Sequence, residues 1–151
     1  MSTSPSLVFV DTNIIAYARD RRDVRKQTVA LGWLAALAKN RQGRISTQVL
    51  IEYYATASHP KRLALPTADA RADVAALTAW NPISPTIDLL QRAWQIQDGY
   101  SASWWDAMII AAALLSRCST LLSEDLQDGL VVDQTLTVLN PFTTTAPPPP
   151  T

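Results

Sequence analysis

Cysteine and histidine are almost absent from this chain, which contains one of each among 151 residues. The single cysteine, Cys118, excludes an intrachain disulfide framework and fits a reducing compartment. The single histidine, His59, excludes catalysis by a pair of histidines and argues against a histidine-rich zinc site. Any chemistry must therefore depend on other side chains.

An excess of charge and a long apolar run are also missing. Lysine plus arginine and aspartate plus glutamate number 13 each, so the sequence has no strongly basic nucleic-acid-binding coat. The longest apolar stretch, residues 107–115, is too short to cross a bilayer. Residues 1–10 lack the basic and apolar regions of a secretion signal. We therefore expect a cytoplasmic protein without membrane contact.

Hydrophobic residues make up 48% of the chain, which is enough for the core of one compact domain. Short apolar runs typical of buried strands alternate with segments of helical periodicity. The predicted strands cover residues 7–10, 44–46, 119–122 and 135–139, and the predicted helices cover 24–40, 47–58, 67–79, 86–97 and 103–117. This alternation predicts an α/β fold with a mostly parallel sheet. We assign residues 1–142 to the domain and residues 143–151, rich in threonine and proline, to a flexible tail.

Four carboxylates occupy positions where acidic residues are uncommon. Asp11 directly follows the first predicted strand, and Asp125 lies shortly after the strand 119–122. Glu52 and Asp106 lie inside predicted helices between large apolar residues. Because ligands bind at the carboxyl ends of strands in open α/β sheets, we expect the acids to meet at that edge.

Acids buried together need a compensating charge. Burying one unpaired carboxylate costs several kcal/mol, and two carboxylates about 4 Å apart add roughly 4 kcal/mol of repulsion at an effective dielectric near 20. The cationic residues lie elsewhere, chiefly in residues 19–26 and 61–62. Oxygen ligands without histidine or cysteine favour Mg²⁺ or Mn²⁺ over Zn²⁺. The acids therefore predict a site for a hard divalent cation.

The two helical acids also have purely structural interpretations. Glu52 fits a polar stripe with Gln48 and Thr56, which lie four residues before and after it. Ser103 and Asp106 have the spacing of a capping box, in which each side chain bonds the other residue's backbone N–H.

The two acids that follow strands have alternatives of the same kind. Asp11 is a suitable N-cap for a following helix. The segment Ser123-Glu-Asp125 can cap a short turn. Glu124 and Asp128 are close enough in sequence to take the place of Asp125, so the identity of the fourth acid stays open at this point.

Five motifs, in order along the chain, resemble those of the PIN-domain family. They are Val10-Asp-Thr-Asn13 and the segments 46–52, 105–112, 122–126 and 140–142. The resemblance spans residues 7–142. Within the family it is strongest to the VapC toxins of bacterial VapBC toxin–antitoxin pairs. It implies a three-layer α/β/α sandwich with a central, mostly parallel sheet and an acidic pocket at the sheet edge that binds Mg²⁺ or Mn²⁺.

The same resemblance implies a function and partners. The chain would be an endoribonuclease that hydrolyses RNA phosphodiester bonds with a metal-activated water, in tRNA or rRNA. It would form a homodimer and bind a VapB-like antitoxin. The catalytic and metal-binding acids implied by the resemblance are Asp11, Glu52, Asp106 and Asp125. Asn13 would orient Asp11, and Ser123 stands where the family has a small hydroxyl residue.

A basic segment early in the chain is a candidate for binding RNA phosphates. Its cationic residues are Arg19, Arg22, Arg25 and Lys26. The alternative is that these side chains only solvate the start of a helix.

Two other functions remain possible on the sequence alone. A phosphatase of the haloacid-dehalogenase type also begins with a strand that ends in aspartate, but it needs a second aspartate where Asn13 stands. A catalytically inert PIN-like module that only binds partners is the non-enzymatic alternative. Incubating RNA with magnesium and then with chelator distinguishes a nuclease from such a module.

Overall fold

The computed structural model describes residues 6–151, which form five strands and six α-helices. The strands are β1 (Val8–Val10), β2 (Gly43–Arg44), β3 (Thr120–Leu122), β4 (Val131–Val132) and β5 (Leu136–Leu139). The helices are α1 (Thr12–Ala18), α2 (Val24–Asn40), α3 (Thr47–Ser58), α4 (Thr67–Leu77), α5 (Ile87–Tyr100) and α6 (Trp104–Leu115). A short 3-10 helix, Thr78–Trp80, follows α4. The first five residues of the predicted domain 1–142 lie outside the described residues.

The five strands form one sheet in the order β2-β1-β3-β5-β4. Every pairing is parallel except that of β4 with β5. The chain crosses the sheet in one direction from β1 to β2 through α1 and α2, and returns from β2 to β3 through α3 to α6. Because such crossovers are right-handed, the two groups of helices cover opposite faces of the sheet. The fold is the predicted α/β sandwich with a mostly parallel sheet.

The core lies on both faces of the central strands. All three residues of β1 are buried, as expected for a parallel strand covered by helices on each side. Helix α6 buries every residue from 107 to 113, which makes it apolar all round and places it inside the molecule. The two strands that precede the candidate acids are therefore held rigidly by packing.

The helix and strand boundaries follow the sequence prediction closely. Helices α2 and α3 have the predicted bounds, and the remaining predicted elements differ at their ends by one to three residues. Helix α1 corresponds only to the unspecified helix that Asp11 could cap, and strand β4 has no counterpart in the prediction. Its hairpin with β5 turns through Asp133 and Gln134, whose φ angles of 51° and 61° are both positive. Such turns usually contain Asn-Gly or Asp-Gly, and this one lacks the glycine that would have indicated it.

The C-terminal segment returns to the surface of α2. Residues 143–151 contain no helix or strand. A methyl group placed on Gly32 of α2 would lie 3.9 Å from Cγ of Pro149. The predicted flexibility of this tail stays a prediction. No helix within residues 6–151 has the length and apolarity needed to cross a membrane.

Candidate active site

Asp11 and Ser123 are brought together by the register of the sheet. Strands β1 and β3 pair in parallel with Val10 opposite Leu122, so the residues that follow each strand are neighbours. The backbone N–H of Asp11 donates to the carbonyl of Leu122 at 3.0 Å. The Ser123 hydroxyl then donates to Asp11 Oδ2 at 2.8 Å, although the two residues are 112 positions apart in the sequence.

Asp11 is also the N-cap of α1, so both interpretations of this residue hold. Its Oδ1 accepts the backbone N–H of Thr12 at 2.7 Å. Its Oδ2 accepts from Ser123 and, at 3.3 Å, from Nδ2 of Asn13. The predicted role of Asn13 in orienting Asp11 agrees with this contact. Capping therefore uses Oδ1, and Oδ2 faces Ser123, the residue that follows β3.

Asn13 links Asp11 to the acid that follows β3. Its Nδ2 donates to Asp125 Oδ2 at 3.2 Å as well as to Asp11. Its Oδ1 accepts the backbone N–H of Glu124 at 3.1 Å. The Ser123 hydroxyl accepts the backbone N–H of Asp125 at 3.2 Å. One amide side chain and one hydroxyl thus fix two carboxylates beside each other.

Glu52 faces the same place from α3. Thr12 Oγ1 donates to Glu52 Oε2 at 2.9 Å, and Gln48 Nε2 donates to Glu52 Oε1 at 2.7 Å. The polar stripe proposed for this helix is therefore real, but Gln48, Glu52 and Thr56 all line a cleft that Asp11 also lines. The stripe is part of the acidic site.

Asp106 lies in the first turn of α6. Ser103 caps this helix by accepting the backbone N–H of Asp106 at 3.2 Å. The reciprocal bond of a capping box, from the Ser103 N–H to the Asp106 carboxylate, is not formed among the residues that the structure describes. The carboxylate of Asp106 is therefore not used up by capping, and the residue lines the cleft.

All four predicted acids line one open cleft of about 540 Å³ at the carboxyl ends of β1 and β3. Four ion pairs are found within residues 6–151, and none of them involves these acids. These four carboxylates therefore bring negative charge together without an ion pair to any of them.

The pKa of Asp11 reflects this lack of compensation. The pKa of Asp11 is raised from 3.8 to about 6, chiefly by burial, with smaller upward contributions from the charges of Glu52 and Asp125. The hydrogen bonds from Ser123 and Thr12 act in the opposite direction but do not outweigh burial. A nearby cation would stabilise the ionised form of this carboxyl.

The donors in the cleft fit a hard divalent cation in type. They are carboxylate, hydroxyl and amide oxygens, the ligands that Mg²⁺ and Mn²⁺ prefer. Within residues 6–151, no three aspartate, glutamate, histidine or cysteine side chains lie close enough to form a complete metal-binding group. A cation held here would depend on one or two carboxylates and on water, which is usual for Mg²⁺.

The geometry separates the three candidates for the fourth acid. The carboxylate of Glu124 accepts a hydrogen bond from Tyr17 at 2.7 Å and forms an ion pair with Lys26. Asp128 accepts the backbone N–H of Asn140 at 2.8 Å and does not line the cleft. Of the three carboxylates, that of Asp125 accepts a hydrogen bond from the Asn13 side chain, which also holds Asp11, so the arrangement favours Asp125.

Most of the cationic side chains predicted to bind RNA interact with other residues of the protein. Arg19 forms an ion pair with Asp73 at 2.5 Å, Lys26 pairs with Glu124, and Arg25 donates to the carbonyl of Phe142 at 3.0 Å. Of the four, only Arg22 lines the cleft. Substrate binding by this group stays a prediction, and the structure gives it most support at Arg22.

Sequence reasoning missed three contributors to the site. Thr12 and Gln48 hold the two oxygens of Glu52, and Arg62 lines the cleft. The position of Gln48 four residues before Glu52 indicates a contact along one helix face, but not its role in holding the acid. Thr12 and Arg62 belong to different elements from the groups they approach, so spacing in the sequence contains no signal for them.

Comparison with solved structures finds similar folds in bacterial toxins. A toxin–antitoxin complex from Klebsiella pneumoniae is 26% identical, with a TM-score of 0.62, and the match covers 90% of this chain and 98% of that chain. VapC20 from Mycobacterium tuberculosis, described as a sarcin–ricin loop cleaving toxin, is 21% identical, with a TM-score of 0.57 and coverage of 76% and 86%. VapBC2 from Rickettsia felis, bound to a promoter DNA fragment, is 17% identical, with a TM-score of 0.62 and coverage of 89% and 99%.

Comparison at the level of sequence identifies the family. No curated protein matches the chain. The family model of the PIN domain, however, matches residues 8–127, which run from β1 to just beyond Asp125 and include all four acids of the cleft. Four of the five motifs lie within the matched residues, and the fold agrees with this match. The chain belongs to the PIN-domain family.

Proposed function

We propose that this protein is a divalent-metal-dependent endoribonuclease and the toxin component of a toxin–antitoxin pair. The observation that carries the proposal is the cleft in which Asp11, Glu52, Asp106 and Asp125 lie together with no ion pair to any of them. A protein that served only as a scaffold would gain nothing from this electrostatic repulsion. Membership of the PIN-domain family supports the same activity.

Asp11, Glu52, Asp106 and Asp125 would together hold Mg²⁺ or Mn²⁺, one or two of them by direct contact and the others through bound water. The bound cation would supply Lewis-acid chemistry, making water a stronger nucleophile toward phosphorus and stabilising negative charge on phosphate oxygens. Asn13 and Ser123 keep Asp11 and Asp125 in place through the hydrogen bonds described above. Thr12 and Gln48 each hold one oxygen of Glu52 and so fix its orientation.

The substitution Asp106→Asn tests the activity. It removes one negative charge from a side chain whose carboxylate caps nothing, so the fold should remain intact. We expect RNA cleavage in Mg²⁺ to fall by at least about a hundredfold, with an unchanged circular dichroism spectrum. Asp98→Asn, at an exposed position on α5, is the matched control and should cleave at the wild-type rate.

A second readout for the same pair of proteins is the effect of metal on stability. Mg²⁺ should raise the Tm of the wild type and of Asp98→Asn more than that of Asp106→Asn, because a ligand stabilises the state that binds it. Cleavage by Asp106→Asn at the wild-type rate would refute the site assignment. If the wild type cleaves no RNA with or without Mg²⁺, the inert partner-binding module is the better explanation.

The partners are proposed from the neighbouring structures and from the surface. Two of those structures are toxin–antitoxin complexes, which supports a VapB-like antitoxin as partner. VapC20 is described as cleaving the sarcin–ricin loop, so ribosomal RNA is one candidate substrate, and tRNA is the other. A homodimer is supported by an exposed apolar face that includes Ile51 and Trp105, which are 66% and 63% exposed.

A further inference from the structure

Two arginines stand at one end of the acidic cleft. Arg22 and Arg62 are the cationic residues that line it among the described residues. Both also line a second cavity of about 820 Å³, which shares Asp20, Arg22, Arg62 and Leu63 with the cleft. The two cavities therefore adjoin, and the arginines lie at their shared boundary.

The two arginines differ in how they are engaged. Arg22 is held by Asp20, whose carboxylate accepts from Nε at 2.9 Å and from Nη2 at 3.0 Å. The guanidinium of Arg62 forms no hydrogen bond and no ion pair with any residue from 6 to 151. Arg62 is therefore the cation of the cleft whose donors are not committed to another side chain.

The backbone beneath Arg62 is nevertheless anchored. Its N–H donates to the carbonyl of His59 at 3.0 Å, and the next residue, Leu63, donates to the carbonyl of Thr56 at 3.3 Å. Leu65 donates in turn to Ala57 at 2.8 Å. These bonds hold the loop between α3 and α4 against the end of α3, the helix that contains Glu52. The guanidinium is thus exposed on a backbone fixed relative to the acids.

We propose that Arg62 binds a backbone phosphate of the RNA adjoining the phosphate that enters the acidic cleft. The planar guanidinium matches phosphate oxygens in geometry, and no internal partner has to be displaced. Arg62 offsets the repulsion that the acids exert on the RNA strand. The adjoining cavity offers the strand a place beyond the cleft, with Arg62 at the boundary between the two. This inference rests on the proposed ribonuclease activity and adds a residue that no motif indicates.

The test measures RNA binding without cleavage. A fluorescently labelled single-stranded RNA of mixed sequence is titrated with protein in EDTA at several salt concentrations. Arg62→Gln should weaken binding roughly five- to tenfold. It should also reduce the slope of log K against log salt by about 0.7, the value for one lost phosphate contact on a single strand. Arg62→Lys keeps the charge and should retain most of the slope.

Lys61→Gln is the matched control, since it removes the same charge from the adjacent exposed residue, which does not line the cleft. Equal changes of slope in Lys61→Gln and Arg62→Gln would overturn the proposal, as would the absence of RNA binding by the wild type. A parallel titration with poly-L-glutamate tests an acidic polypeptide as the occupant. Weaker binding of that polymer by Arg62→Gln, with RNA affinity unchanged, would also overturn it.

The outcome is separable from that of the proposed function. If the wild type cleaves RNA in Mg²⁺ while Arg62→Gln keeps the wild-type salt slope, the nuclease stands and the phosphate site fails. If the slope changes as expected but no protein cleaves RNA, the binding site stands and the activity fails. In a cleaving enzyme, Arg62→Gln should raise KM and leave kcat nearly unchanged, since the residue positions the strand outside the acids.

Discussion

Asp11 shows how one buried carboxyl links stability to pH. Its pKa is raised from 3.8 to about 6 in the folded protein, mainly by burial. The folded state therefore binds a proton more tightly than the unfolded chain does. Stability contributed by protonated Asp11 is present below pH 4 and is lost as pH rises toward 6. Above that window the ionised carboxylate destabilises the fold by about 3 kcal/mol, since a tenfold difference in proton affinity corresponds to about 1.4 kcal/mol.

Asp11→Asn should remove this pH dependence. In EDTA at pH 7.5 the variant should be more stable than the wild type by up to about 3 kcal/mol, because the charge is gone. The difference should shrink as pH falls from 6 to below 4, where the wild-type carboxyl is protonated. Urea denaturation at several pH values measures both trends. A difference that does not vary with pH would contradict the assigned pKa.

At the level of residues, the sequence predicted the four acids of the cleft better than it predicted the neighbouring side chains that hold or accompany them. Glu52 and Asp106 are conspicuous because apolar neighbours surround them in helices, and Asp11 because it ends a strand. All of them line the cleft. Arg62 lies at the site only because its loop folds back onto α3. A loop that folds back in this way leaves no periodic pattern in the sequence from which it could be predicted. The roles of the acids in catalysis stay predictions.

At the level of elements, local patterns predicted nearly all helices and parallel strands. The bounds predicted for α2 and α3 are correct to the residue. The edge hairpin was missed because Asp133 and Gln134 adopt positive φ without glycine. The order of strands in the sheet was not part of the prediction, since it depends on contacts between distant segments. The PIN-like fold expected from the motifs is confirmed.

Two glycines should respond oppositely to alanine. Gly43 in β2 lies under the ring of Trp80, where an added Cβ would approach Cζ3 to 2.1 Å. Gly43→Ala should therefore destabilise the protein by about 1–3 kcal/mol. Gly32, in the middle of α2, has room for a methyl group, and Gly32→Ala should stabilise by roughly 0.5–1 kcal/mol. Thermal melting of both variants measures the two effects, and Tm changes of the same sign would be inconsistent with the packing described.

At the level of the whole molecule, the exposed apolar face is unusual, because nothing in the described part of a single subunit covers these apolar side chains. Ile51 and Trp105 line a cavity of about 500 Å³ next to the acidic cleft, together with Pro85, Leu89 and Met108. Glu52 is its single charged lining residue. Glu52 also lines the acidic cleft, so the apolar part of the patch can pack against its own copy with little charge buried, and large apolar patches usually mark interfaces.

Ile51→Lys should disrupt the proposed homodimer, because it places a charge on this face. Sedimentation velocity at one protein concentration should show a dimer for the wild type and a monomer for the variant. Val24→Lys is the matched control, since Val24 is similarly exposed at the start of α2, and it should remain dimeric. A monomeric wild type, or a dimeric Ile51→Lys variant, would exclude this face as the interface.

The pairing of Val10 with Leu122 has a consequence for how the protein is made. The neighbours it creates, Asp11 and Ser123, are 112 residues apart, and Asp125 follows later still. A growing polypeptide that has emerged only as far as α6 contains three of the four acids but neither the strand nor the hydroxyl that aligns the first of them. Synthesis must pass beyond β3 before the cleft can assemble, so a nascent chain that ends earlier lacks the complete set of acids and the contacts that align them.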